Sequence, residues 1–334
     1  MRLAVPLTHT LLRSTTRPRI LPRQVLKTIT RPASTMTTAS FKYMDPASYV
    51  DSSEPFVKPW GKVDDGGRSF KYTDRTRPVE NIRGQEDKFG TDVSGFGVYH
   101  YPAEEKTFTD DQQVRTGYYK EVEQLLRDKL PGIKKVVIFD HTIRRNQKAS
   151  PRAPVQQVHV DQTPNAAEVR VRRHVPANEA ETLLKGRYQI INVWRPIGHP
   201  ASDFPLAVID WRTTKPEDFV KVDLLYPKRQ DQDDDDRGKE AAPKGQEDNS
   251  TDGYEVKGET YGVAPSDGHK FYYMKDMTPE EAMFIKCFDS RSQSVGGKQG
   301  LAGMTPHTAF IDPATPANAP GRQSIEVRCL VFYE

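Results

Sequence analysis

The chain has 334 residues, long enough to bury a sizeable core as one large domain or two smaller ones. Its modest apolar fraction, 35%, and 26 prolines suit a loop-rich, β-containing domain better than a helical bundle, and no apolar run approaches the length of a membrane span. The net charge of +3 comes from one end: residues 1–44 hold eight Lys/Arg and no acid, which leaves 41 basic against 46 acidic residues, a charge of −5, and no electrostatic case for nucleic-acid binding by the body.

Residues 1–40 read as a disordered leader. Their Arg-, Ser- and Thr-rich, acid-free composition is that of a mitochondrial transit peptide; the alternative is a cytoplasmic protein translated from Met36. Cys287 and Cys329 are the two cysteines, too few for a disulfide framework and consistent with a reducing compartment. Residues 41–105, rich in Pro, Gly, Asp and Lys with short aromatic islands, predict extended segments and turns wrapping a main domain.

A helix follows. Thr109-Asp110-Asp111-Gln112 fits a capping box, and Val114, Tyr118, Val122, Leu125, Leu126 and Leu130 recur at helical spacing until Pro131-Gly132. Val136–Phe139 then predicts a strand running into a turn. Further strands are expected at 155–160, 188–194, 206–211, 271–274, 308–311 and 324–332, interrupted by short helices near 178–185 and after Thr278-Pro279-Glu280-Glu281, a second capping box. Many short strands without regular β–α alternation argue for an antiparallel sandwich or barrel. Residues 228–253, nearly free of apolar side chains, form a solvated insertion; their four consecutive aspartates match no EF-hand spacing.

Several motifs are excluded. The Gly-rich stretch at 294–303 lacks the Lys-Ser/Thr of a P-loop, and Gly95-x-Gly97 lacks the third glycine of a dinucleotide fingerprint. There is no HExxH, no CxxC pair and no GxSxG elbow.

His159-x-Asp161 is the one HxD in the chain, and on a strand its two side chains share a face. A metal needs a third ligand. His307 supplies one at the start of a late strand, and the one RxS of the chain, Arg322-Gln323-Ser324, opens the last strand. Two imidazoles and a carboxylate on one side of iron(II) keep three positions open, as non-haem oxygenases require. 2-Oxoglutarate fills two of them, and its far carboxylate needs a fixed planar cation, which Arg322 offers together with the Ser324 hydroxyl. On that strand Arg322, Ser324, Glu326 and Arg328 share a face, so Arg328 is a rival clamp.

Other polar residues have weaker claims. Asn192 is a candidate to face the cosubstrate from a central strand. Trp194 and Arg195 are candidates for the pocket wall, Gln157 for a hydrogen bond to the site, and His141 for a supporting or substrate group. His174, His199 and His269 have no partner pattern.

The segments "VVIFDHTIRR", "VQQVHVDQT", "QIINVWRPI", "TPHTAFIDP" and "RQSIEVRCLVF" closely resemble the fungal hydroxylase/desaturase family, which includes gibberellin-desaturase-like proteins and is similar to a component of cephamycin 7α-methoxylation. The resemblance covers residues 41–334. It implies a double-stranded β-helix (jelly roll), with flanking helices, and Fe(II)/2-oxoglutarate oxidation of a small, secondary-metabolite-like molecule. Members more often carry an acid where Gln323 stands. His159, Asp161 and His307 are thus the expected iron ligands, and Arg322, Ser324 and Asn192 the cosubstrate contacts. Two other readings fit the same residues: a non-haem metal oxidase that ignores 2-oxoglutarate, and a catalytically silent jelly-roll binding subunit. No nucleic-acid or membrane partner is expected.

Overall fold

The computed structural model describes residues 36–63, 66–145, 154–228, 249–292 and 300–334, together with Met1. Fourteen described strands build two sheets. The larger has nine: β1 (Met36–Met44), β2 (Trp60–Lys62), β3 (Tyr72–Asn81), β6 (His159–Val160), β8 (Leu206–Ile209), β9 (Phe219–Pro227), β10 (Tyr254–Val263), β11 (Phe271–Tyr273) and β13 (His307–Ala309), in the order β1-β3-β11-β8-β13-β6-β10-β9-β2. It is mixed, with parallel pairs β11–β3 and β2–β9. The smaller sheet is antiparallel, β4-β12-β7-β14-β5, from β4 (Phe96–His100), β5 (Ile133–Arg145), β7 (Tyr188–Pro196), β12 (Glu281–Asp289) and β14 (Gln323–Tyr333).

The expected helix opens as α1 (Asp111–Gln113), widens through a π-turn (Val114–Tyr118) and continues as α2 (Tyr119–Lys129). Its cap is Asp110, one residue later than the capping box implies, accepting from the main-chain N–H of Gln112 and Gln113. All six periodic apolar residues are buried against Ile191, Val193, Phe284, Ile325 and Val327 on the outer face of the smaller sheet. Each such fully buried Val or Leu contributes about 1.5–3 kcal/mol. The opposite face of that sheet packs, through Ile190, Trp194 and Leu330, with Leu206 and Val208 of the larger sheet. Two helices close one side of this core, α3 (Pro164–His174) and α4 (Ala177–Leu184), burying Ala167, Val171 and Ala180.

The structure departs from the sequence expectations at several places. Glu281 does cap the turn, its carboxylate accepting from the Thr278 N–H at 2.8 Å, yet a strand follows instead of a helix. Residues 282–288 are apolar but for Lys286, are buried on both faces and pair with β4 and β7, so pairing overrides the local cap. The turn expected after Phe139 is a bulge: β5 runs on to Arg145, with Arg328 opposite Asp140 and Cys329 opposite Ile138. Residues 41–105 are not a wrapping; they supply four strands. The 206–211 strand stops at Ile209, and the 155–160 strand shrinks to His159–Val160.

β1 begins at Met36, so residues 36–40 of the stretch read as leader belong to the sheet, with Ala39 buried beside Val79 and Phe271. The rest of the leader lies outside the described residues. So do residues 229–248 of the acidic insertion and 293–299 of the Gly-rich stretch. The insertion's flanks are joined: Pro227 pairs with Tyr254, and the Lys228 N–H donates to the Gly253 carbonyl at 2.8 Å.

Candidate metal centre

The short strand β6 is held on both sides, by β10 (Gly262 opposite His159) and by β13 (His307 opposite His159). That register, set by pairs between remote segments, puts the two imidazoles side by side with centroids 4.5 Å apart. After Val160 the chain bends at once into Thr163, which caps α3 through Oγ1 to the Ala166 N–H, with Pro164 in the first turn. Asp161 sits in the bend. Its Oδ1 lies 3.4 Å from His159 Nε2, and one donor atom from each of His159, Asp161 and His307 lies within 4.8 Å of the others.

The ring tautomers are set from behind. His159 Nδ1 is 2.8 Å from the Gln157 carbonyl and His307 Nδ1 is 3.0 Å from the Thr305 carbonyl. A carbonyl only accepts, so each Nδ1 carries the proton and donates, leaving both Nε2 lone pairs for a metal. Burial works against the charge on Asp161, but His159, His307 and Arg328 outweigh it and hold the carboxyl well below the usual carboxylate range. Burial and the neighbouring His159 push His307 down, and Asp161 raises His159 despite burial. Two nitrogens and one ionised oxygen converging on one point are the donor set that suits iron(II) with open positions.

A cavity of about 50 Å³ adjoins these donors. His159, Asp161, Leu206, His307, Thr308 and Ala309 line one side of it. The smaller sheet contributes Thr142, Arg144, Trp194, Ser324, Glu326 and Arg328, with Arg322 just before β14. The alternation expected for the last strand holds: Ser324, Glu326 and Arg328 face the cavity while Ile325 and Val327 face α2.

The two candidate clamps differ in what they already hold. Arg328 pairs with Asp140 at 2.9 Å and Glu326 at 3.3 Å, and lies 3.9 Å from Asp161. Arg322 is 3% exposed; its main-chain N–H donates to Asp203 Oδ2 at 3.1 Å, and its guanidinium donates one hydrogen bond, from Nη1 to the Phe204 carbonyl at 2.6 Å. Its Nε has no partner, its guanidinium stacks 5.7 Å from the Trp194 ring, and no described carboxylate pairs with it. Burial, then repulsion from Arg144, bring its pKa down to about 9. A buried cation with unused donors in the wall of this cavity fits the far carboxylate of a dicarboxylic keto acid.

Other candidates are reassigned. Asn192 shares a face of β7 with Trp194, and its Nδ2 donates to Asp161 Oδ2 at 2.6 Å. Trp194 lines the cavity, but Arg195, on the other face of β7, bonds Tyr118 and the Pro279 carbonyl. Gln157 contributes its carbonyl, while its side chain accepts from Tyr72. His141 bonds Tyr119, and His269 bridges Tyr43 and Asp218. His174 stacks on Phe139 and His199 lies by the Pro200 carbonyl. Sequence reading missed Thr142 and Arg144, whose i, i+2 spacing on β5 places both on the cavity face, Arg144 opposite Ser324.

Comparison with known proteins agrees with this architecture. A family profile described as "Oxidoreductase/YMDC permease-like domain" matches residues 41–332; among the described residues no helix is long and apolar enough to cross a membrane. The hydroxylase/desaturase efuI of Hormonema carpetanum is 31% identical over 80% of this chain and 87% of its own length. The hydroxylase/desaturase poxK of Penicillium oxalicum is 35% identical over 77% of this chain and 78% of its own. The Fe(II)/2-oxoglutarate-dependent dioxygenase nvfI of Aspergillus novofumigatus is 27% identical over 79% and 85%. A solved structure of the iron and alpha-ketoglutarate-dependent endoperoxidase NvfI superposes with a TM-score of 0.69 at 24% identity, covering 89% of this chain and 98% of that one, and shows the same jelly-roll fold.

Proposed function

This chain belongs to the fungal hydroxylase/desaturase family, and from that premise we propose that it is an Fe(II)/2-oxoglutarate-dependent dioxygenase that hydroxylates or desaturates a small, secondary-metabolite-like molecule. His159, Asp161 and His307 would hold the iron, and Arg322 with Ser324 the far carboxylate of 2-oxoglutarate. The observation that carries the reading is the buried Arg322 guanidinium, its Nε without a partner and no described carboxylate paired with it, in the same cavity as three converging metal donors. Bound iron and 2-oxoglutarate supply, with O₂, the means to remove hydrogen from an unreactive C–H bond; hydroxylation balances as R–H, O₂ and 2-oxoglutarate giving R–OH, succinate and CO₂. The protein's own work is positional. The Gln157 and Thr305 carbonyls keep Nε2 of each histidine free, the Trp194 ring backs the Arg322 guanidinium, and Val155, Leu206 and Ala309 offer apolar wall for a substrate.

Anaerobic iron(II) titration followed by 2-oxoglutarate tests this. A visible charge-transfer band that needs both additions, and is lost in His307→Ala and Arg322→Ala, is expected. Iron binding without that band would point to a metal oxidase that ignores 2-oxoglutarate; absence of iron binding would point to a binding subunit. The acid-free leader is proposed to direct the chain to mitochondria.

A further inference from the structure

We propose that Asn192 is a positioning residue that makes Asp161 a one-oxygen metal ligand. The inference rests on the metal-centre reading above. Asp161 lies in a bend beside β6 of the larger sheet, whereas Asn192 lies on β7, in the middle of the smaller one. The 2.6 Å hydrogen bond from Asn192 Nδ2 to Asp161 Oδ2 therefore ties the ligand loop across the sandwich. Arg328, opposite Asn192 in the ladder, approaches the same oxygen at 3.9 Å. Oδ2 is thus engaged from the smaller sheet, while Oδ1 turns to His159 Nε2 at 3.4 Å, where the metal donors converge.

Two features argue that the amide is kept for this contact. Asn192 is fully buried, and its strand neighbours Ile190, Ile191 and Val193 are apolar. Its Oδ1 has no partner, a standing penalty that an apolar residue at this position would avoid. The amide orientation is also dictated: reversing it would set Oδ1 against an ionised carboxylate. With Oδ2 held back by the amide, Asp161 would present Oδ1 to a metal, and one more coordination position would stay open for cosubstrate or O₂.

Cobalt(II), added anaerobically without 2-oxoglutarate and followed by its visible d–d absorption, tests this in wild type, Asn192→Ala, Asn192→Asp and Asn192→Ser. Wild type should bind. The variants should bind about 10–100-fold more weakly, the range for loss of an outer hydrogen bond to a ligand. At saturation their band should also change in shape and intensity, because a released Oδ2 can join the metal. Asn192→Asp keeps the side-chain shape, and Asn192→Ser keeps a donor too short to reach Asp161, so at least one variant tests the contact if Asn192→Ala does not fold. A saturated spectrum superimposable on wild type would overturn the proposal whatever the affinity, since a merely structural role predicts that result. Failure of wild type to bind cobalt would instead overturn the metal-centre reading.

Discussion

Replacing Arg322 with methionine should move stability and cosubstrate binding in opposite directions. Burial and repulsion from Arg144 bring the Arg322 pKa down from the ordinary arginine value to about 9. At about 1.4 kcal/mol per pH unit this is a destabilisation on the order of 5 kcal/mol carried by the ligand-free fold. Methionine keeps much of the volume and removes that charge, but forfeits the hydrogen bond to Phe204, about 1.5–3 kcal/mol for a charged donor. The ligand-free variant should therefore be about 2–3.5 kcal/mol more stable than wild type at pH 7. Loss of two charge-assisted hydrogen bonds to the far carboxylate should weaken 2-oxoglutarate binding by about 100-fold or more. The pH dependence has a definite sign. A cation whose folded-state pKa is depressed binds fewer protons when folded, so wild type gains stability as pH rises from about 9 towards the ordinary arginine range. The gap between the proteins is full below that window and closes across it. Urea unfolding of both ligand-free proteins at pH 7 and pH 10, with anaerobic 2-oxoglutarate titration of the iron forms, measures both arms. A variant less stable at pH 7, with unchanged 2-oxoglutarate affinity, would refute the reasoning.

Three further outcomes are expected. Gly95 has φ +91°, and a Cβ there would lie 2.4 Å from Thr305 Oγ1 and 3.0 Å from the Met304 carbonyl; Gly95→Ala should lose about 1–3 kcal/mol in chemical denaturation and, by displacing the Thr305 carbonyl that orients His307, weaken cobalt binding. Wild-type cobalt affinity in that variant would break the link between Gly95 and the metal centre. Replacing residues 229–248 with a short Gly/Ser linker should leave cobalt affinity and thermal stability unchanged, because Pro227 and Tyr254 already pair; a marked loss of either would give the insertion a structural role. Residues 1–35 fused to a fluorescent protein should send it to mitochondria, and a diffuse cytosolic signal would reject the targeting proposal.

The parts of the site legible in the sequence were those written in local patterns. HxD is a triplet, RxS is a triplet, and period-two alternation sorts Ser324, Glu326 and Arg328 from Ile325 and Val327. What stayed hidden depended on partners remote in the chain. β6 has two residues and exists because β10 and β13 flank it, so neither its length nor the bend at Asp161 can be read locally. β9 and β10 mix charged and apolar residues, and their regularity comes from pairing with each other across the insertion. The Thr278–Glu281 cap shows the converse: the local signal is real and its hydrogen bond forms, yet neighbouring strands decide what comes next. Helix α3 is marked by Thr163 and Pro164, but it buries only Ala167 and Val171, an apolar stripe too thin to stand out by periodicity. Asn192 was placed on the right strand and on the same face as Trp194; that its amide turns to Asp161 Oδ2 depends on a loop remote in the chain.

The donors and the clamp belong to opposite halves of the sandwich: His159 and His307 come from the nine-stranded sheet, Arg322 and Ser324 from the strand and approach of the five-stranded one. A molecule gripped by both halves acts as a removable rivet. Each ligand present at about a hundred times its dissociation constant adds about 2.7 kcal/mol to the folded state by mass action. Thermal unfolding of this protein should therefore move upward when iron and 2-oxoglutarate are added together.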